Sequence, residues 1–137
     1  MDVTNREVVE RAFEAFNRDG PQGYVDYLVE ADKAHPEFTT YMQPDLPTGG
    51  TYEGVDAYLK VAGDWFESFD SFAAVPVEYV VADPDRFLIV CDQRAVAKVS
   101  GLELSAFFYY VVVFDGGRVR ELHIYADRAG AERALRR

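Results

Sequence analysis

Three side chains in the second half of the chain carry most of its potential for chemistry: Asp92, Arg94 and Tyr109. Asp92 and Arg94 lie two residues apart in a strand-like run, so they project from one face. A carboxylate beside a guanidinium can orient a water or a substrate hydroxyl. A phenol on the next strand can donate a hydrogen bond to a developing oxyanion. That reading makes Asp92, Arg94 and Tyr109 the candidate catalytic set. The plainer reading is an ion pair in which Asp92 and Arg94 satisfy each other near the sheet edge. His123, alone in a strand, has neither a second ligand nor a nucleophile to serve and is expected at a subunit contact. His35 precedes Pro36 and reads as a solvent-facing turn residue. Cys91 sits in an apolar strand and is the only cysteine, which suits a small buried hydrophobe. No cluster with metal-ligand spacing, glycine-rich phosphate loop or nucleophile elbow appears, so neither metal nor cofactor is expected.

Composition narrows the partners. The 137 residues suit one domain, 1–137, large enough to bury a core without staples. A formal net charge of −10 argues against binding nucleic acid or an anionic membrane. Aromatic residues make up 15% of the chain, so many rings must fill a core or a pocket. No signal peptide, long apolar span or lipidation motif is visible, and a cytoplasmic location is expected.

The elements that must position these groups follow from periodicity and punctuation. Val8, Val9, Ala12, Phe13 and Phe16 recur at helical spacing over Asn5–Arg18, opened by Thr4 and Glu7 in a capping-box pattern. Asp19-Gly20-Pro21 stops that helix, and Pro21 can start a second, with Tyr24, Tyr27 and Leu28 on one face. His35–Gln43 alternates as a strand, with Phe38, Thr40 and Met42 sharing a face. Pro44–Gly50 reads as a loop, and Gly54–Phe69 as a third helix. Strands follow at Ala74–Ala82, Arg86–Val99, Leu102–Phe114 and Val119–Ala126, then a charged helix at Asp127–Arg137. Helices first and an antiparallel sheet afterwards is the α+β pattern.

Turn chemistry gives a register. Gly116-Gly117 suits a two-residue type I′ turn, which places Phe114 opposite Val119, Tyr109 opposite Ile124 and Val111 opposite Leu122. A turn at Ser100-Gly101 places Lys98 opposite Glu103 and Asp92 opposite Tyr109. One face then carries Val90, Asp92, Arg94, Phe107, Tyr109, Val111, Leu122 and Ile124. The other carries Ile89, Cys91, Gln93, Phe108, Tyr110, Val112, Glu121, His123 and Tyr125. Both are too apolar to lie bare in water. The first is expected to line a concave interior. The second is expected to pack on another copy of the chain, burying Phe108, Tyr110 and Tyr125 in a homodimer.

The segments VERAFEAFN, HPEF, GGTYEGVDAYLK and FDGGRVRELHIYADRAGA, in that order, resemble SnoaL-like members of the nuclear transport factor two superfamily. That superfamily also includes ketosteroid isomerase, limonene epoxide hydrolase and scytalone dehydratase. The resemblance spans nearly the whole chain. It implies a cone of curved, mixed or antiparallel sheet wrapped around the N-terminal helices, a pocket at its open end, and a homodimer. It specifies a fold rather than a reaction. Carried over residue by residue, the oxyanion tyrosine of ketosteroid isomerase falls on Ala12. Its base falls on Met42 or, one residue on, Gln43, and its protonated acid on Tyr109. The acid that SnoaL-type cyclases place in the last strand falls on Ile124. The inherited acids and base are thus missing.

Two functions follow as expectations. One is a module that binds a small hydrophobic molecule in an aromatic pocket lined by Phe16, Met42, Tyr58, Trp65, Phe107, Leu122 and Ile124, with Trp65 at the rim. The other is a small-molecule enzyme of isomerase, cyclase, dehydratase or epoxide hydrolase type that uses Asp92, Arg94 and Tyr109.

Overall fold

The computed structural model describes residues 4–136. Helix α1 runs Asn5–Glu30 and opens as its sequence prescribes: Thr4 Oγ1 accepts the backbone N–H of Glu7 at 3.2 Å. It buries Val8, Val9, Ala12 and Phe13, then breaks at Gly20 (φ 76, ψ −162), and Pro21 restarts it toward Tyr24, Val25 and Leu28. That backbone conformation is open only to glycine. Strands β1 (Ala34–Met42) and β2 (Gly50–Glu53) precede helix α2 (Val55–Phe66). Strands β3 (Phe69–Asp83), β4 (Arg86–Ala97), β5 (Glu103–Asp115) and β6 (Arg118–Tyr125) follow, and helix α3 (Arg128–Leu135) comes last. The short β2 is absent from the sequence reading, because four residues with glycine at one end carry too little alternation to register. The expected end of the last helix at Arg137 lies outside the described residues.

The strands form one open, curved, six-stranded sheet in the order β2-β1-β6-β5-β4-β3. Only the β1–β6 pairing is parallel, so the sheet is mixed and the fold α+β. Two hairpins decide which residues share a face. In β4–β5 the loop is Lys98–Gly101, closed by Ala97 N–H to Leu102 O at 2.9 Å, rather than a two-residue turn. Asp92 therefore lies opposite Phe107, and Tyr109 opposite Val90. A shift of two residues moves partners but preserves faces.

The β5–β6 hairpin has the expected two-residue turn, with Gly116 at φ 62 and Gly117 at φ 79 and Asp115 opposite Arg118. Phe114 faces Val119, but the next pair is Val113 with Glu121, which leaves Arg120 as a bulged residue. Beyond it Val112 faces Leu122 and Tyr110 faces Ile124. This one-residue slip exchanges the faces of β5 relative to β6. Ile89, Cys91, Tyr110 and Val112 join Leu122 under α1 and α2, while Val90, Asp92, Arg94, Phe107, Tyr109 and Val111 lie on the opposite, outer face. The expected assignment of Asp92, Arg94, Phe107 and Tyr109 to the interior is corrected accordingly.

The outer face is not bare. Ala131, Ala134 and Leu135 of α3 pack on Leu88, Val111 and Val113, with Tyr109 and Tyr125 at the margin. Arg128 pins this helix to the sheet edge through Glu78 Oε2 at 3.1 Å and holds Glu132 at 3.1 Å. The three residues expected at a dimer contact, Phe108, Tyr110 and Tyr125, do not share this face. Phe108 and Tyr110 turn inward, and Tyr125 packs beside α3. On the same outer face His123 stacks on Tyr41 (4.5 Å between ring centroids) and meets Glu121 at 2.8 Å. His35 is not a free turn residue. Its Nδ1 accepts the Glu37 N–H at 2.9 Å, and its Nε2 lies 3.2 Å from Asp115.

The break in α1 gives the first prediction. A Cβ on Gly20 would sit 3.5 Å from the Phe66 ring, ordinary contact, so any penalty is conformational rather than steric. Gly20→Ala should cost about 1–3 kcal/mol in urea unfolding. A loss below a few tenths of a kcal/mol would show that the break tolerates a side chain.

Candidate functional site

Between the sheet and the two long helices lies a cavity offering about 70 Å³ to the centre of a water-sized molecule, space equivalent to several waters. Phe13, Phe16, Pro21 and Tyr24 face it from α1, and Tyr58, Ala62, Trp65 and Phe66 from α2. Met42, Phe72, Gln93, Phe108, Tyr110, Leu122 and Ile124 come from the sheet, and Leu46 and Thr48 from the loop between β1 and β2. The break at Gly20 creates the wall: two helical segments at an angle bring Phe16 and Tyr24 to one space. The rings meet edge to face, Phe13 on Tyr110 (5.4 Å), Phe16 on Phe66 (6.0 Å) and Phe16 on Phe72 (5.9 Å). This is the favoured geometry for aromatic quadrupoles, and it props the walls apart.

The polar groups are few and uncharged. Tyr110 Oη donates to Gln93 Oε1 at 2.6 Å in a buried bond. Tyr24 and Tyr58 are buried with ring centroids 5.6 Å apart. Burial raises the phenol pKa of Tyr24 and Tyr110 above the usual 10.0, and that of Tyr58 well above it. The three hydroxyls are close enough for each new phenolate to oppose the next. They remain neutral donors over the whole physiological range. Beneath them, burial also pushes the Cys91 thiol up, which leaves it unreactive. Asn17 clamps α1 to β3 by exchanging two hydrogen bonds with Ala74 (2.8 and 2.9 Å), and Ala74 is the cross-strand neighbour of Gln93.

Of the residues expected to line a pocket, Phe16, Met42, Tyr58, Trp65, Leu122 and Ile124 face the cavity, and Phe107 does not. Asp92, Arg94 and Tyr109 are not brought to it. Arg94 Nη2 binds Asp92 Oδ2 at 2.9 Å with the arginine side chain 71% exposed, which is the plain ion pair. Tyr109 belongs to the α3 side of the sheet. The sequence reading missed Tyr24, Gln93, Phe108 and Tyr110 as cavity groups. The last three do appear together in its alternation pattern, on the face taken as external. Met42 and Ile124, where the resemblance would put a base and an acid, present apolar side chains to the cavity, and no Asp, Glu, His, Lys or Arg lines it. Among the described residues no group of three or more His, Cys, Asp or Glu side chains could hold a metal ion. Among them, too, no helix is long and apolar enough to cross a membrane.

Comparison with known proteins places the fold. No family model matches the chain, and no curated protein sequence matches it. Solved structures do. A nuclear transport factor two-like protein of unknown function from Burkholderia pseudomallei superposes with a TM-score of 0.75 at 22% identity, over 98% of each chain. A candidate SnoaL-like polyketide cyclase from Jannaschia sp. CCS1 does so with a TM-score of 0.75 at 18% identity, over 98% of this chain and 96% of that one. A protein with a ketosteroid isomerase-like fold from Catenulispora acidiphila, in complex with trimethylamine, gives 0.71 at 12% identity, over 90% and 86%. The chain has the nuclear transport factor two-like fold, shared with SnoaL-like and ketosteroid isomerase-like proteins.

Two outcomes test this geometry. Met42→Asp puts a carboxyl into an apolar wall without a partner, so it should cost roughly 2–4 kcal/mol and titrate above the usual carboxylate range. Unchanged stability in urea would mean that Met42 does not face the cavity. At alkaline pH the sign is equally definite. Phenols whose folded-state pKa is raised contribute stability that is full below pH 10.0, the unfolded value, and is lost as pH rises beyond it. Phenolate absorbance of Tyr24, Tyr58 and Tyr110 should therefore appear only together with unfolding, and Tyr58→Phe should lessen the alkaline loss.

Proposed function

We propose that this chain binds a small hydrophobic molecule in the cavity and does not transform it. The observation that supports this reading is the lining: aromatic and aliphatic walls, a few neutral polar groups, and no acid or base to move a proton. An enzyme built on Asp92, Arg94 and Tyr109 would need those groups at the cavity, and they lie across the sheet from it. A relative in fold was solved with a small molecule, trimethylamine, which is in keeping with binding as a use of this architecture.

Trp65 supplies the test, being the only tryptophan and a cavity residue. Titration with tetralin, a bicyclic hydrocarbon, should change its emission saturably. Ala62→Leu, which fills part of the space, should weaken the response about tenfold or more. A wild-type protein whose Trp65 emission does not respond to tetralin would refute the reading.

For the quaternary state we propose a homodimer through the part of the outer face that α3 leaves open. Val75 and Phe107 flank Asp92 on neighbouring strands, and Phe107 is 55% exposed. A two-fold axis here would lay apolar rows on each other and set Arg94 of each copy near Asp92 of the other, an arrangement complementary in charge. Light scattering should report a dimer at micromolar concentration, and Phe107→Glu should return it to monomer. A monomeric wild type rejects this arrangement.

A further inference from the structure

We infer that the cavity's polar end selects a neutral carbonyl group, held by Gln93 Nε2 together with the Tyr58 and Tyr24 hydroxyls. The inference rests on the binding reading above and specifies the chemistry of the ligand. Gln93 is only 7% exposed, lies on the cavity wall, and has its Oε1 engaged by Tyr110. Its amide nitrogen has no hydrogen-bond partner among the described residues and is the end left to face the ligand. The nitrogen is open to the cavity space rather than sealed in the core, so a ligand acceptor can reach it, and covering it without one would be unfavourable. In this arrangement the Tyr110 hydroxyl proton goes to Oε1, and the nitrogen lies on the other side of the amide.

The hydroxyls of Tyr24 and Tyr58 make no hydrogen bond to the described residues either, and both rings line the same space. The polar end is therefore rich in protons: Gln93 Nε2 can only donate, whereas the two phenols can donate or accept. What the amide nitrogen lacks is an acceptor oxygen. A carboxylate or phosphate would supply one, but no cation lines the cavity, and a chain of net charge −10 offers no compensating field. An ammonium group cannot accept from Gln93 Nε2 and would find no carboxylate to balance its charge. A ketone, quinone or lactone carbonyl on an apolar ring system satisfies the donors without burying charge.

The probes are 2-tetralone, tetralin (the same bicycle without oxygen) and tetramethylammonium chloride, each read by Trp65 fluorescence. The infrared carbonyl stretch of bound 2-tetralone gives a second readout. In the wild type that stretch should fall below its position in an alkane solvent. Gln93→Leu and Tyr58→Phe should each weaken 2-tetralone about tenfold while leaving tetralin as tight or tighter. Should Gln93→Leu fail to fold, because it strands the Tyr110 hydroxyl, Tyr58→Phe makes the same test alone. An unshifted carbonyl stretch, equal losses for both bicycles, or tighter binding of tetramethylammonium than of 2-tetralone would overturn the inference while leaving the cavity a binding site. No binding of either bicycle would remove the binding reading, and this inference with it.

Discussion

Arg120 has no cross-strand partner on β5, and its guanidinium is held by Asp115 at 3.2 Å and Glu37 at 3.0 Å. Those two carboxylates fix the extra residue at the end of a tight glycine turn, where a bulge can be absorbed with little loss of pairing. Everything downstream inherits the slip. With the bulge, Tyr110 shares a face with Leu122 and Ile124, and its hydroxyl can reach Gln93. Without it, Tyr109 would take that place, Asp92 and Arg94 would be buried beside it, and the interior would hold an ion pair among its phenols. One unpaired residue thus sets the chemistry of the cavity, because side-chain direction in a sheet has a period of two.

The sheet is apolar on both faces, and the two are covered in different ways. On the outer side small residues of α3, Ala131 and Ala134, let the helix settle closely on Leu88 and Val111. On the inner side the helices carry large rings. Phe13, Phe16, Tyr58 and Phe66 meet their neighbours by their edges, so the packing closes at its periphery and leaves the centre open. Full burial of each such ring contributes about 1.5–3 kcal/mol, which favours keeping the wall intact even though the space behind it lacks contacts. The break at Gly20 sustains this arrangement by turning the second half of α1 across the sheet.

Charge is segregated with equal consistency. The ion pairs Asp92–Arg94, Glu78–Arg128 and Asp32–Arg118 all lie at the surface. There they are screened and contribute little individually. The Arg128 guanidinium nevertheless holds the Glu78 carboxyl below the usual carboxylate range, so this link between α3 and β3 persists at neutral pH and is lost as pH falls through that lowered value. The cavity lining keeps only neutral polar groups. In a chain this acidic, an ionised ligand group would enter the cavity without a counter-charge.

Local rules in the sequence determined the elements. A threonine cap, helical spacing of Val8, Val9, Ala12 and Phe13, a break at Gly20-Pro21, and Gly116-Gly117 at a hairpin each act within a few residues and are visible in one dimension. So are the burial of Phe38, Thr40 and Met42 by alternation and the presence of Phe16, Tyr58 and Trp65 on the inner faces of helices. The cavity's polar chemistry was not legible in the same way. Whether Tyr109 or Tyr110 points inward depends on one unpaired residue ten positions later in the chain. The bulge is stabilised by Glu37, more than eighty positions earlier. Likewise Gln93 Oε1 is engaged only because Tyr110, seventeen positions later, reaches it from the neighbouring strand. Sequence fixes periodicity, which is local; tertiary structure decides phase between strands, because phase depends on contacts between residues far apart in the chain.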